Sequence, residues 1–244
     1  MIKSRIISKE PIEGKKKEKA PVSAFAPREK TENGMTELVF ILDRSGSMAG
    51  LEADTAGGFN TMLREQREKE GACKVTTVVF DHEMLTLHDR LDLKDVPALT
   101  EKDVAARGCT ALVDAMAKTI LHINGIQKYA RPEDVPEHTL FVITTDGMEN
   151  ASREFDADAL RAMVEKTKAL YGWEFLFIGA NIDSVTTAKS FGIDGDRAVD
   201  YHADAKGTAV VFGAVSRAVR AMREDAPISA DWSAEIAEDF EARK

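Results

Sequence analysis

Asp43, Ser45 and Ser47 put one carboxylate and two hydroxyls at alternate positions of the run Asp43-Arg44-Ser45-Gly46-Ser47-Met48. On a loop loosened by Gly46, three hard oxygens can turn toward one point. A hard divalent cation needs that arrangement: oxygen ligands and, for Mg²⁺, near-octahedral geometry at about 2.0–2.1 Å. Two more oxygen donors stand further along, Thr110 in Arg107-Gly108-Cys109-Thr110-Ala111 and Asp146 in Thr144-Thr145-Asp146-Gly147. Two carboxylates roughly balance a 2+ charge and hydroxyls add none, so a cation held here keeps its pull on an anionic oxygen at an open position. Arg44, Glu52, Asp54, Glu149 and Asn150 are candidate rim residues, expected on solvated surface.

The elements that must position these residues can be read from periodicity. Residues 37–42 form an apolar run ending at Asp43, the pattern of a strand buried on both faces. Phe59, Met62 and Leu63 recur at helical spacing, with Gly71 as the expected stop. Residues 75–80 read as a second buried strand. The short turn Asp81-His82-Glu83 leads to a third over 84–91, which must be antiparallel and at an edge because the turn is too short for a crossover. After Thr110 a helix begins, with Leu112, Met116, Ile120 and Ile123 inward and Asn124-Gly125 as the expected end. Residues 140–145 are a strand ending at Asp146. Asp156 is an N-cap for a helix closed by Gly172. A strand over 173–179, a helix over 184–191, a short strand over 197–201 and a helix carrying Val211, Val215, Val219 and Met222 follow.

Alternating strands and helices predict an α/β fold: a doubly wound, mostly parallel sheet with one antiparallel edge strand and helices on both faces. In such sheets ligands bind at the C-terminal ends of strands, where strand order reverses. If the first and fourth strands are neighbours, Asp43 and Asp146 flank one crevice. The domain is expected over 35–225. Residues 1–34, with Lys15-Lys16-Lys17-Glu18-Lys19 between Pro11 and Pro21, read as a disordered basic tail. Residues 226–244 read as a short amphipathic segment, with Trp232, Ile236 and Phe240 at i, i+4 and i+8, expected to dock on the parent domain.

Asp-x-Ser-x-Ser after the first strand, a Thr in a Gly-containing loop and a later Asp-Gly after a strand together resemble the metal-ion-dependent adhesion site (MIDAS) of von Willebrand factor A (VWA) domains. The resemblance spans roughly residues 36–201 and looks like the intracellular bacterial type, with a Rossmann-like fold. It implies Mg²⁺ (or Mn²⁺) held by Asp43, Ser45, Ser47, Thr110 and Asp146, some directly and some through water. It also implies that a partner's Asp or Glu fills the remaining metal position, and that the partner is a protein such as an AAA+ ATPase or a larger complex. Cys109 stands where related sequences often have Gly. A soft thiol is a poor Mg²⁺ ligand, so Cys109 is expected to be a small buried filler.

Composition narrows the reading further. The net charge of −9 is uneven: residues 1–34 hold nine Lys or Arg and five Glu, while the rest holds 24 basic and 37 acidic residues. So acidic a domain argues against nucleic acid or anionic lipid as partner, because both need a positive footprint. Neither a membrane-length apolar run nor a secretory signal is evident, and the two cysteines fit no zinc or redox spacing, so a reduced cytoplasmic setting is expected.

Catalysis is not expected. A metal-dependent phosphatase-like hydrolase with Asp43 as nucleophile is the enzymatic alternative, but it wants a second acid two residues on, where Ser45 stands. Neither Gly-x-Ser-x-Gly nor a P-loop is present; Gly57-Gly58 is followed by Phe59 and is expected to let the first helix approach the metal loop or sheet. A purely structural metal site is the other alternative. The five histidines show no ligand spacing.

Overall fold

The computed structural model describes residues 24–28 and 31–244. Its six strands are β1 (Thr36–Asp43), β2 (Cys73–Phe80), β3 (Met84–Asp92), β4 (His138–Thr145), β5 (Glu174–Gly179) and β6 (Ala198–Asp200). They form one sheet of order β3-β2-β1-β4-β5-β6, parallel throughout except for β3, which runs antiparallel to β2 at the edge. The helices are α1 (Glu52–Arg67), α2 (Leu112–Tyr129), α3 (Ala157–Tyr171), α4 (Ser184–Ser190), α5 (Ala205–Arg223) and α6 (Ala234–Ala242). The expected doubly wound α/β architecture is the one observed.

The period of two along a doubly buried strand explains the layering. Leu38, Phe40 and Leu42 of β1 join Leu140, Val142, Leu176 and Ile178 in a core under α1, α5 and α6, which contribute Phe59, Met62, Val215 and Ile236. Val39 and Ile41 point the other way, joining Phe141, Ile143, Phe175 and Phe177 beneath α2, α3 and α4, with Leu112, Met116, Leu160 and Phe191. Every residue of β1 is buried. Because β2 lies on one side of β1 and β4 on the other, the connections leaving β1 and β4 diverge, which opens a crevice at their C-terminal ends.

Capping follows local chemistry at α3: Asp156 accepts the Ala159 N–H at 2.8 Å, and Gly172, at φ 66°, closes the helix in the left-handed conformation. Elsewhere tertiary contacts override local signals. α1 ends at Arg67, and Gly71 (φ 96°) serves the turn into β2 instead. α2 runs through Asn124-Gly125 to Tyr129. It is held there by Gln127, whose Nε2 donates to the buried Glu37 carboxylate at 2.7 Å and to Thr139 Oγ1 at 3.1 Å.

Two further expectations are corrected by packing. In the stretch read as a tail, residues 24–28 and 31–34 lie against the domain; the other residues of 1–34 fall outside the described ones. Phe25 is 4% exposed within the core under α2 and α3, the Arg28 guanidinium stacks 3.8 Å over the Tyr171 ring, and Asn33 Nδ2 donates to the Val135 carbonyl at 2.9 Å. One aromatic side chain anchors this segment, too little to create a period in the sequence. Gly58 serves α5, not the metal loop: a Cβ there would sit 2.3 Å from Phe212 Cδ2, whereas Gly57 faces open space. The C-terminal segment docks as expected, burying Trp232 and Ile236, with Trp232 Nε1 donating to the Asp196 carbonyl at 2.8 Å.

Gly58→Ala tests the α1–α5 seam. Overpacking a filled seam costs about 1–3 kcal/mol, which in a domain of this size lowers the melting temperature by about 2–4 °C per kcal/mol. Calorimetric melting should show that loss, and adding Phe212→Leu to Gly58→Ala should restore part of it. Equal stability of Gly58→Ala and wild type would refute the close-approach account.

Candidate metal centre

Asp43 ends β1 and Asp146 follows β4. Parallel register brings them together, with Leu42 opposite Thr144. Asp43 is 1% exposed and Asp146 3% exposed. Asp43 Oδ1 accepts the Ser45 N–H at 2.6 Å, and Oδ2 accepts Thr145 Oγ1–H at 2.6 Å. Ser45 Oγ and Ser47 Oγ are 3.1 Å apart, and Ser47 Oγ donates to Asp146 Oδ1 in a close hydrogen bond. Thr110 is drawn to the same point: a Cβ on Gly147 would lie 3.3 Å from Thr110 Oγ1 and 3.5 Å from Ser47 Oγ. All five residues expected as ligands thus meet at the crevice, with Asp43 buried and Ser47 exposed.

Three loops build this pocket and are stitched by main-chain bonds. Arg44 N donates to the Phe80 carbonyl (2.8 Å), Gly46 N to Gly108 O (3.2 Å), Arg107 N to Arg44 O (2.8 Å) and Ala111 N to Asp81 O (2.9 Å). An ion cluster fastens them. Asp81, fully buried, accepts Arg44 Nε at 3.0 Å and Arg107 Nε at 2.8 Å. Burial alone would raise the Asp81 carboxyl, but the Glu83 N–H and the Arg107 and Arg44 guanidiniums outweigh it and hold it below the ordinary carboxylate range. Gly108, at φ 68°, is required twice over: its conformation is left-handed, and a Cβ would lie 2.2 Å from His82 Nδ1.

The rim expectations need revision. Arg44 is 6% exposed and is pulled away from Asp43 by Asp81. Asn150 and Glu149 are supports: Asn150 Oδ1 accepts the Thr110 N–H at 2.9 Å, and Glu149 accepts the N–H groups of Val113, Ala151 and Ser152. Asp114 reciprocates from α2, accepting the N–H groups of Arg153, Glu154 and Phe155. Glu52 accepts the Gly50 N–H at 2.7 Å. Cys109 is exposed, not a buried filler, because the neighbouring Gly108 turn directs it outward. Sequence reasoning missed Thr145 as a partner of Asp43; its one signal was a threonine at the end of a buried strand, directly before Asp146.

Electrostatics make the pocket suited to a cation. Among the described residues, no Lys, Arg or His pairs with Asp43 or Asp146. Burial raises the Asp43 carboxyl above its ordinary range despite hydrogen bonds from Thr145 and Ser45. Burial also raises Asp146, and the Asp43 charge adds to it, against the Ser47 hydrogen bond. Two buried anions without a counter-charge, bordered by three hydroxyls and no soft donor, fit a hard divalent ion.

No family model matches the chain, and no curated protein matches it. Solved structures do match in fold. The von Willebrand factor type A protein from Catenulispora acidiphila aligns over 75% of this chain and 42% of its own, at 16% identity and TM-score 0.51. The vWF domain of the type V pili tip protein Mfa5 from Porphyromonas gingivalis aligns over 78% and 96%, at 11% identity and TM-score 0.59. The pilus adhesin SpaC from Lactobacillus rhamnosus GG aligns over 77% and 31%, at 10% identity and TM-score 0.58. The chain therefore spans less than half the length of the first of these. At such identities the likeness establishes the fold alone, and that fold is of VWA type.

The raised carboxyls set the sign of a pH effect. In the metal-free protein the folded state keeps protons on Asp43 and Asp146 that the unfolded chain has already released. Its stability therefore falls as pH rises from about 4, the ordinary carboxylate value, through the raised values. A bound cation favours the ionised pair and cancels that loss. In urea denaturation of metal-stripped and Mg²⁺-saturated protein, the stability gap should widen as pH rises from about 4 toward neutrality. A gap independent of pH would exclude these carboxylates as ligands.

Proposed function

We propose that this VWA-type fold serves as a non-catalytic, divalent-metal-dependent protein-binding or scaffolding module, acting in the cytoplasm. Mg²⁺ (or Mn²⁺) would be held by Asp43, Ser45, Ser47, Thr110 and Asp146, and when bound it would supply a Lewis-acidic position for a partner's Asp or Glu. The observation that carries this reading is the pairing of two buried, uncompensated carboxylates with three hydroxyls at the C-terminal edge of the sheet. The chain's own residues do the positioning. Thr145 and the Ser45 N–H orient Asp43, Ser47 orients Asp146, and Asn150 fixes the Thr110 main chain.

Two features favour binding over hydrolysis. A nucleophilic Asp43 would want a second acid two residues on for proton transfer, and Ser45 stands there. The guanidinium of Arg44, the residue after Asp43, is committed to Asp81 and so is not free to clamp a phosphate. The pilus adhesin among the structural neighbours is compatible with the same reading. The protein partner, an AAA+ ATPase or larger complex among the options, would be recognised through an acidic side chain; the acidic domain disfavours nucleic acid and anionic membrane.

Thermal melting of wild type, Asp43→Ala and Asp146→Asn, each metal-stripped and with Mg²⁺, Mn²⁺ or Ca²⁺, tests the reading. A cation at about 100 times its Kd adds about 2.7 kcal/mol to the folded state, about 5–10 °C here. Wild type should gain that with Mg²⁺ or Mn²⁺ and neither variant should. Equal metal response in wild type and both variants would place the cation elsewhere.

A further inference from the structure

Glu137 precedes β4, His138 opens it and Asp225 follows α5, at the end of the sheet opposite Asp43 and Asp146. One ligand atom from each lies within 4.8 Å of the others, and His138 Nε2 is 3.2 Å from Asp225 Oδ1. An imidazole with two carboxylates suits Zn²⁺ better than Mg²⁺ or Ca²⁺, which prefer oxygen alone. The His138 side chain is 23% exposed and that of Asp225 82% exposed, so an ion can enter and Asp225 can close on it by a change of rotamer.

Thr36 adds an independent observation. It is 0% exposed, and its Oγ1 has no hydrogen-bond partner among the described residues. Thr36 is the register partner of His138 across the parallel β1–β4 pair. It stands two residues before Leu38, as His138 stands two before Leu140, and both leucines enter the core under α1 and α5. Thr36 and His138 therefore project side by side from one sheet face, the face over which α5 ends in Asp225. Buried hydroxyls are almost always satisfied, and this one stands beside the His138 imidazole on that face.

The other group of this kind, Asp81-His82-Glu83, cannot serve. Asp81 Oδ2 is taken by two guanidiniums, and Oδ1 by the Glu83 N–H and the His82 ring. A dication there would meet Arg44 and Arg107 at contact distance.

We propose that Glu137, His138 and Asp225, with the Thr36 hydroxyl beside them, form a second cation site that takes Zn²⁺, tying the start of β4 to the end of α5. Zn²⁺ titrated calorimetrically into the full chain in excess Mg²⁺, which competes for the Asp43 pocket, tests this. A single Zn²⁺ should bind, with affinity unchanged in Ser47→Ala. His138→Gln and Asp225→Asn should each weaken it by at least about tenfold, the loss that even an outer-shell substitution causes at metal sites. Asp225 is a surface side chain, so its variant keeps the fold if that of His138 does not. Absence of Zn²⁺ binding, binding that survives both substitutions, or binding lost in Ser47→Ala would overturn the site; the first two leave the reading of Mg²⁺ at Asp43 untouched, and the third would place the Zn²⁺ there instead.

Discussion

Parallel pairing of β1 with β4 forces two carboxylates to share one buried corner, and the surrounding loops are arranged around that constraint. Asp43 cannot retreat, because β1 is buried along its whole length and both of its carboxylate oxygens are already held by Ser45 and Thr145. Asp146 is tied to Ser47 from the opposite loop. Burying like charges without a counter-ion is costly in a low-dielectric setting. The corner is therefore satisfied only by a proton or by a cation, and the raised carboxyls of both residues record that demand.

The protein keeps its own cations out of the corner by spending them one step away. Arg44, the residue after Asp43, would neutralise the pocket if it turned inward. Asp81 holds it outside, and Arg107 completes the cluster from the loop that carries Thr110. The same three residues lock the loops after β1 and β2 and before α2 into one unit through main-chain bonds. One ion cluster thus preserves an unbalanced negative charge in the pocket and fixes the oxygens around it. Gly108 is needed for the same assembly, since its left-handed turn carries the chain past His82 toward Thr110.

Much of this was legible in the sequence, for a physical reason. A strand buried on both faces leaves an unbroken apolar run, and a carboxylate directly after such a run marks the ligand-binding end of a parallel strand, as at Asp43 and Asp146. The antiparallel edge followed from the length of one turn, Asp81-His82-Glu83. What could not be read depends on pairs far apart in sequence. Gln127 reaching Glu37 carries α2 through an Asn-Gly that would ordinarily end it. Phe25 docks on helices far later in the sequence, and Glu149 and Asp114 exchange main-chain caps across an interval without local pattern. Cys109 turned outward because a glycine next to it is left-handed, a conformation that residue type permits but does not announce.

The same geometry bears on why a binding role is more natural here than a catalytic one. Nucleophilic carboxylates need a free oxygen aimed at the substrate and a nearby acid or cation to manage the leaving group. Ser45 stands where a second acid would be needed, and the Arg44 guanidinium is held by Asp81. What remains open is the side bordered by Ser47, with Met148 beside it 74% exposed. Hydroxyl ligands contribute no charge, so a cation resting on Asp43 and Asp146 is balanced by the protein but not oversupplied with negative charge. On the proposed reading its affinity for one more carboxylate would be retained, and that carboxylate would come from a partner protein.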